Sequence, residues 1–379
     1  QKDSLEFQAS VSPMSESEVG HVKSLVGAQR GEPGQADFLD MVFELLHLED
    51  RPERFDEVLA FLERLCDEWT KASDFGQAIA LIRKMRSLAE FMVPISDKRG
   101  PKVEDLLARL RKQFSLDALR DLARDGKITD YPSFFEYLDW IGPGALVIGS
   151  EILESARDPK VRNAAFRFLE TAGRIDPILL TNLAQDKRPL TTRAAISVLG
   201  QTNDRRFIPF LATFFSYTNR DIKLDAIRAL GKISDPLAHR TLLGFLRGDP
   251  AVEIRSEAAK TIRLDMDPSI LQAVIGIAGA GDFIKRAPME RAAILAGIGR
   301  SGGKPGLALI RRLLERKSLL SRKKNTAIAL SAVSALEAIG SPEAAEILSE
   351  ASGKGWKTVK AAAGEAFQRL TKSAGSKPE

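Results

Sequence analysis

The sequence predicts an all-α chain: a right-handed α-α superhelix, or helical solenoid, preceded by a non-repetitive helical region. Three observations carry this expectation. A unit of similar pattern recurs through residues 143–372, each copy sets a small residue at the same point of an amphipathic helix, and a proline opens the helix before it. The stretch Asp221–Pro236, DIKLDAIRALGKISDP, shows the pattern, with an apolar stripe, Gly231 closing the helix and a proline starting the next. Aligned on the small residue, the copies give Ala165, Ala195, Ala226, Ala258, Ala293, Ala332 and Ala363, at intervals of 30, 31, 32, 35, 39 and 31 residues. A period in this range marks stacked helical repeats. One helix pair cannot bury both of its apolar faces, so neighbouring pairs stack and share a core.

Taken in order, residues 1–33 read as a tail or the remnant of a preceding domain. Leu5–Val11 alternates like a strand, and Ser15 with Glu18 has capping-box spacing ahead of a short helix. The first residue, Gln1, leads to the expectation that the chain is processed or excised from something longer. Residues 34–142 form the N-terminal helical region. ADFLDMVFELLHLE is one helix, and Pro52 opens a second with Phe55, Val58, Leu59, Leu62, Leu65, Cys66 and Trp69 in steps of three and four. Ser73 is expected to cap a third, whose ASDFGQAIALIRK resembles a tetratricopeptide hairpin without a second copy. Lys98–Pro101 reads as a loop, and helices follow over Val103–Gln113, Leu116–Arg124 and Tyr131–Ile141. Gly142-Pro143-Gly144 marks the boundary.

The array over 143–372 reads as seven helix pairs whose first helices are opened by Pro143, Pro177, Pro209, Pro236, Pro268, Pro305 and Pro342. Proline suits a first helical turn, where its missing N–H has no intrahelical use. The long intervals place insertions near Gly279–Pro288 and Leu314–Asn325, expected as edge loops. The second holds the densest basic run, including Arg322, Lys323 and Lys324. Residues 373–379 are a polar tail.

Three residues before the anchor, four copies carry a base (Arg162, Lys223, Arg255, Lys360), each preceded by Val161, Ile222, Ile254 or Val359. The runs DPKVRNAAFRFL at Asp158–Leu169 and DPAVEIRSEAAKTI at Asp249–Ile262 resemble HEAT repeats, in particular the bacterial HEAT-like type of the PBS-lyase kind. The resemblance spans roughly residues 143–370 and implies a solenoid, a bacterial cytoplasmic setting, and a function among scaffold, nucleic-acid binder or, occasionally, enzyme.

Composition narrows the chemistry. The chain has 379 residues, a single cysteine (Cys66) and three histidines (His21, His47, His239), so a disulfide framework and a site of clustered nitrogen or sulfur ligands are not expected. No cofactor and no catalytic residue is expected, and His239 reads as a surface or core histidine. GIGRSG at Gly297–Gly302 follows a helix rather than a strand, so it reads as helix-end glycines, not a dinucleotide fingerprint. The longest apolar run, Leu271–Gly281, is too short to cross a membrane.

Charge is uneven. Residues 1–150 hold 19 Lys/Arg against 27 Asp/Glu, and residues 151–379 hold 37 against 24. A basic half can meet an anionic partner, and opposite-charge halves can pair two copies of the chain. Arg162, Arg167, Lys223, Arg228, Arg255 and Lys260 recur at matching positions and form a candidate stripe on the second helices. Trp356, between Lys354 and Lys357, joins them with Arg322, Lys323 and Lys324 as candidate partner-binding residues. The competing expectation for the stripe is structural: bases at repeat turns neutralise helix ends and bond to the turn aspartates Asp158, Asp221 and Asp249. The expected function is a non-enzymatic scaffold binding an acidic protein. The alternatives are a nucleic-acid binder resembling the HEAT-like alkylpurine glycosylases and a HEAT-like lyase or other enzyme.

Overall fold

The computed structural model describes residues 34–92, 98–113, 115–186, 188–316 and 321–375. The expected strand and capping box of residues 1–33 lie outside these, as does most of the polar tail. Among the described residues the chain is all helix. It divides into two compact units, residues 1–141 and 142–379.

In the first unit the elements are α1 (Gly34–Leu48), α2 (Pro52–Lys71), α3 (Phe75–Met92), α4 (Gly100–Gln113), α5 (Leu116–Arg124) and α6 (Tyr131–Ile141). Helix α3 is the hub, packed against α1, α2, α4 and α6. Its Phe75, Ala78, Leu81, Ile82 and Met85 are at most 1 % exposed, which is what a helix apolar on several faces requires. Phe75 meets Phe134 edge-on at 4.7 Å and Tyr137 at 5.3 Å. Cys66 is buried beside them, and burial pushes its thiol up to about 12, so it is a packed apolar group rather than a nucleophile.

Two local expectations change here. Asp74, not Ser73, caps α3: its carboxylate accepts from the Gln77 N–H at 3.3 Å, while Ser73 adopts a left-handed φ of 62° that turns the chain. Helix α4 starts at Gly100, inside the expected loop, because proline at the second position of a helix costs no hydrogen bond.

Among the described residues the second unit stacks seven helix pairs. The first helices are α7 (Leu146–Ser155, after a turn over Pro143–Ala145), α9 (Pro177–Ala184), α11 (Ile208–Ala212, between short 3-10 turns), α13 (Pro236–Gly248), α15 (Pro268–Gly279), α17 (Gly303–Glu315) and α19 (Pro342–Gly353). The second helices are α8 (Pro159–Ile175), α10 (Pro189–Gln201), α12 (Arg220–Lys232), α14 (Val252–Thr261), α16 (Pro288–Ser301), α18 (Arg322–Ile339) and α20 (Lys357–Gly375). Aspartate caps recur at the prolines: Asp158, Asp176, Asp235 and Asp267 each accept from the N–H two residues on.

Successive second helices pack against one another extensively, whereas successive first helices touch little. Every anchor alanine sits in the tight layer and is at most 6 % exposed. A side chain larger than alanine there would hold the helices apart. The closer-spaced layer of a two-layer stack lies on the inside of its curve, so the second helices line the inner face of this unit.

His239 of α13 is fully buried. Its Nδ1 accepts from the Arg263 N–H at 3.2 Å, and its Nε2 has no partner. Burial, with the Arg263 charge, lowers its pKa, while Asp265 and Asp235 oppose this. The folded state therefore holds His239 neutral below the pH at which the unfolded chain takes up a proton. The linked stability is complete above the unfolded pKa of about 6.5 and falls as pH drops below it toward the depressed folded value. Melting curves between pH 7.5 and 5 should show this decline, and His239→Phe should flatten it. Parallel curves for the two proteins would contradict the linkage.

Candidate functional site

The inner face is cross-linked by side chains that step from one second helix to the next. Arg193 of α10 reaches Asp225 of α12 at 2.5 Å. Arg228 of α12 reaches Glu257 of α14 at 2.9 Å, and Lys223 of α12 reaches Asp249, before α14, at 2.6 Å. Arg255 of α14 forks onto both oxygens of Glu290 of α16 at 2.9 Å, and Arg286 closes on the same carboxylate. Arg369 of α20 returns to Glu337 of α18 at 2.6 Å.

These pairs sort the expected basic stripe. Lys223 and Arg255 point into the stack: the side chain of Lys223 is 13 % exposed over an Asp249 at 1 %, and that of Arg255 is 17 % exposed over a Glu290 at 0 %. Arg255 also donates to the Asp249 and Pro250 carbonyls, so it bonds to the turn before α14 through backbone oxygens, while Lys223 takes the Asp249 carboxylate. Arg228 is exposed but paired with Glu257 and Asp225. Arg167 and Lys260 are exposed and Arg162 is half-buried. Arg322, Lys323 and Lys324 are exposed, but they form the first turn of α18 rather than a loop. The extra residues of that long repeat lengthen the helix to 18 residues. Trp356 stands just before α20 and lines a separate cleft of about 280 Å³ with Arg316, Lys354 and the Arg311–Glu350 pair.

An opening of about 910 Å³ on the inner face lies where α14, α16 and α18 meet. Its walls are two facing stripes at helical spacing: Met289, Ala292, Ala293 and Ala296 of α16, and Ala327, Leu330, Ser331, Ser334 and Ala338 of α18. Small side chains leave the groove open between closely packed helices. Its charged lining is Lys260, Arg291 and Arg300, with no carboxylate.

Sequence reasoning anticipated Lys260 but missed Arg291 and Arg300. Position −3 of that repeat is Glu290, so a search for bases at −3 passes over the arginine beside it. Among the described residues no group of three or more His, Cys, Asp or Glu is arranged to hold a metal ion. No helix among them is long and apolar enough to cross a membrane.

Comparison with known families finds matches for two stretches of the array. A family model described as HEAT repeats matches residues 177–263, and one described as PBS lyase HEAT-like repeat matches residues 328–353. Two stretches of the array thus match HEAT repeats. The second match covers most of α18 and all of α19, so it includes most of one wall of the groove. No curated protein matches the chain.

Among solved structures, human deoxyhypusine hydroxylase in complex with glycerol is 17 % identical, aligning over 60 % of this chain and 96 % of its own with a TM-score of 0.27. The CpcE–CpcF complex of phycocyanin lyase from Nostoc sp. PCC7120 is 18 % identical over 60 % and 94 %, with a TM-score of 0.32. An engineered protein is 15 % identical over 95 % and 97 %, with a TM-score of 0.28.

Proposed function

We propose that this HEAT array is a non-catalytic scaffold that holds an acidic segment of another protein along its second-helix face, in the groove of α14, α16 and α18. The observation that supports this is the groove's lining: open, floored by small apolar side chains, and bearing Lys260, Arg291 and Arg300 without a carboxylate. Apolar walls suit the body of a peptide or helix, and unneutralised cations select one with acidic side chains.

Nucleic acid is the second reading, supported by a different surface: the exposed Arg322, Lys323 and Lys324 at the start of α18. Anisotropy titrations of the full chain against a labelled glutamate-rich peptide, single-stranded RNA and duplex DNA separate the two. The scaffold reading expects the peptide to bind at moderate salt, and Lys260→Glu with Arg300→Glu to weaken it at least ten-fold. Tight RNA or DNA binding with a steep salt dependence, lost when Arg322, Lys323 and Lys324 are reversed in charge, would put the second reading first.

A further inference from the structure

Arg291 is a buried guanidinium without a counter-charge among the described residues. It is 4 % exposed, and its donors go to neutral acceptors: Nε to Ser331 Oγ at 3.0 Å, Nη1 to the Ile284 and Arg286 carbonyls at 2.9 and 2.6 Å, and Nη2 to the Ala327 carbonyl at 3.2 Å. A guanidinium has five N–H groups, so one on Nη2 is left over. Burial pulls the pKa of Arg291 down, with no acid acting against it.

The repeat itself shows what is missing. Arg291 stands two residues before its anchor, Ala293, and Ser331 one residue before the next, Ala332. Three repeats earlier, Arg193 and Asp225 hold the same two positions relative to Ala195 and Ala226, and they form an ion pair at 2.5 Å. At the α16–α18 step the carboxylate is replaced by a hydroxyl, although this arginine is the more buried of the two. The step that lacks its internal anion is the one that opens into the groove, and Arg291 and Ser331 both line it.

We infer that Arg291 is the carboxylate anchor of the groove: an Asp or Glu side chain of a bound acidic peptide takes the place that Asp225 fills for Arg193. This rests on the scaffold reading. Met289, half exposed at the mouth, with Ala292, Ala296 and Leu330, receives the apolar side chains next to that carboxylate. Lys260 and Arg300 flank it and set the charge requirement on either side.

The test uses the full chain, a fluorescein-labelled helical peptide rich in glutamate and leucine, and the same peptide with glutamine for glutamate. The glutamine peptide is expected to bind wild type at least ten-fold more weakly. Ser331→Asp supplies the carboxylate from within and is expected to weaken the glutamate peptide at least ten-fold, with a melting temperature equal to or above wild type. Ser331→Ala, which adds no charge, is expected to keep binding within about two-fold. Free glutamate at matched ionic strength is expected not to displace the peptide. Equal binding by wild type and Ser331→Asp overturns the anchor and leaves the scaffold reading standing. Failure of wild type to prefer the glutamate peptide overturns both, and displacement by millimolar free glutamate replaces the peptide with a small carboxylate.

Discussion

Glu290→Gln is expected to destabilise the array by about 3–5 kcal/mol, the usual cost of removing one member of a buried charge pair. Glu290 is fully buried and receives Arg255 on both oxygens and Arg286 on one. The amide keeps the shape, loses the charge, and turns an N–H donor toward guanidinium groups that are themselves donors only. Arg255 also ties α14 to its own preceding turn, so the loss spreads across the α14–α16 step. Denaturant unfolding of the full chain measures it, with an exposed pair as control: Arg369 and Glu337 join α18 to α20 with side chains 58 % and 30 % exposed. Glu337→Gln is therefore expected to cost no more than about 1 kcal/mol. Similar losses for the two variants would refute the weight given to burial.

Gly200→Ala should carry the second large effect. A Cβ on Gly200 of α10 would lie 2.5 Å from the Ala229 Cα and 2.9 Å from its carbonyl oxygen on α12. Both are backbone atoms, so no side chain can rotate away and the two helices must separate. Overpacking of this kind costs about 1–3 kcal/mol or more, against roughly 1 kcal/mol that alanine gains over glycine in a helix. With a rigid neighbour the cost sits at the upper end of that range, so the net loss is expected to be about 2 kcal/mol, and larger for Gly200→Val. Because each repeat is held by its neighbours, weakening this step should also broaden or split the unfolding transition. Gly244 of α13 has open space around it, so Gly244→Ala is expected to be neutral or mildly stabilising. An unchanged transition for Gly200→Ala would show that the helices are less tightly joined than the backbone contact requires.

The helical solenoid was legible in the sequence because its cause is periodic. Ala165 to Ala363 recur at nearly constant spacing, and the prolines and aspartate caps punctuate them. What periodicity cannot show is how a residue in one repeat meets a residue in the next. Arg291 and Ser331 are distant in sequence, and their pairing appears only when each is numbered from its own anchor and compared with Arg193 and Asp225. Lys223 and Arg255 looked like exposed bases because their carboxylates, Asp249 and Glu290, come from the following repeat. The basic run at Arg322–Lys324 read as a loop because the long interval placed an insertion there, and three cations do oppose the dipole of a helix N-terminus. The apolar stripe of α18, from Ala329 through Ala332 to Leu336, holds that turn in the helix regardless. Ser73 read as the cap, but the positive φ it adopts hands the capping position to Asp74.

The central claim, that the α14–α16–α18 groove holds an acidic segment of a protein partner, is tested most directly by site-specific photocrosslinking in the cell that makes this chain. A photoreactive side chain replaces Ser334, exposed on the groove wall, and in a second protein Leu237, 44 % exposed on the first-helix layer. The account predicts that Ser334 crosslinks to one segment rich in Asp and Glu, mapped by mass spectrometry, and that Lys260→Glu with Arg300→Glu abolishes that product while Leu237 gives none. Equal products from both positions, attachment to nucleic acid, or a product that survives the charge reversal would contradict it.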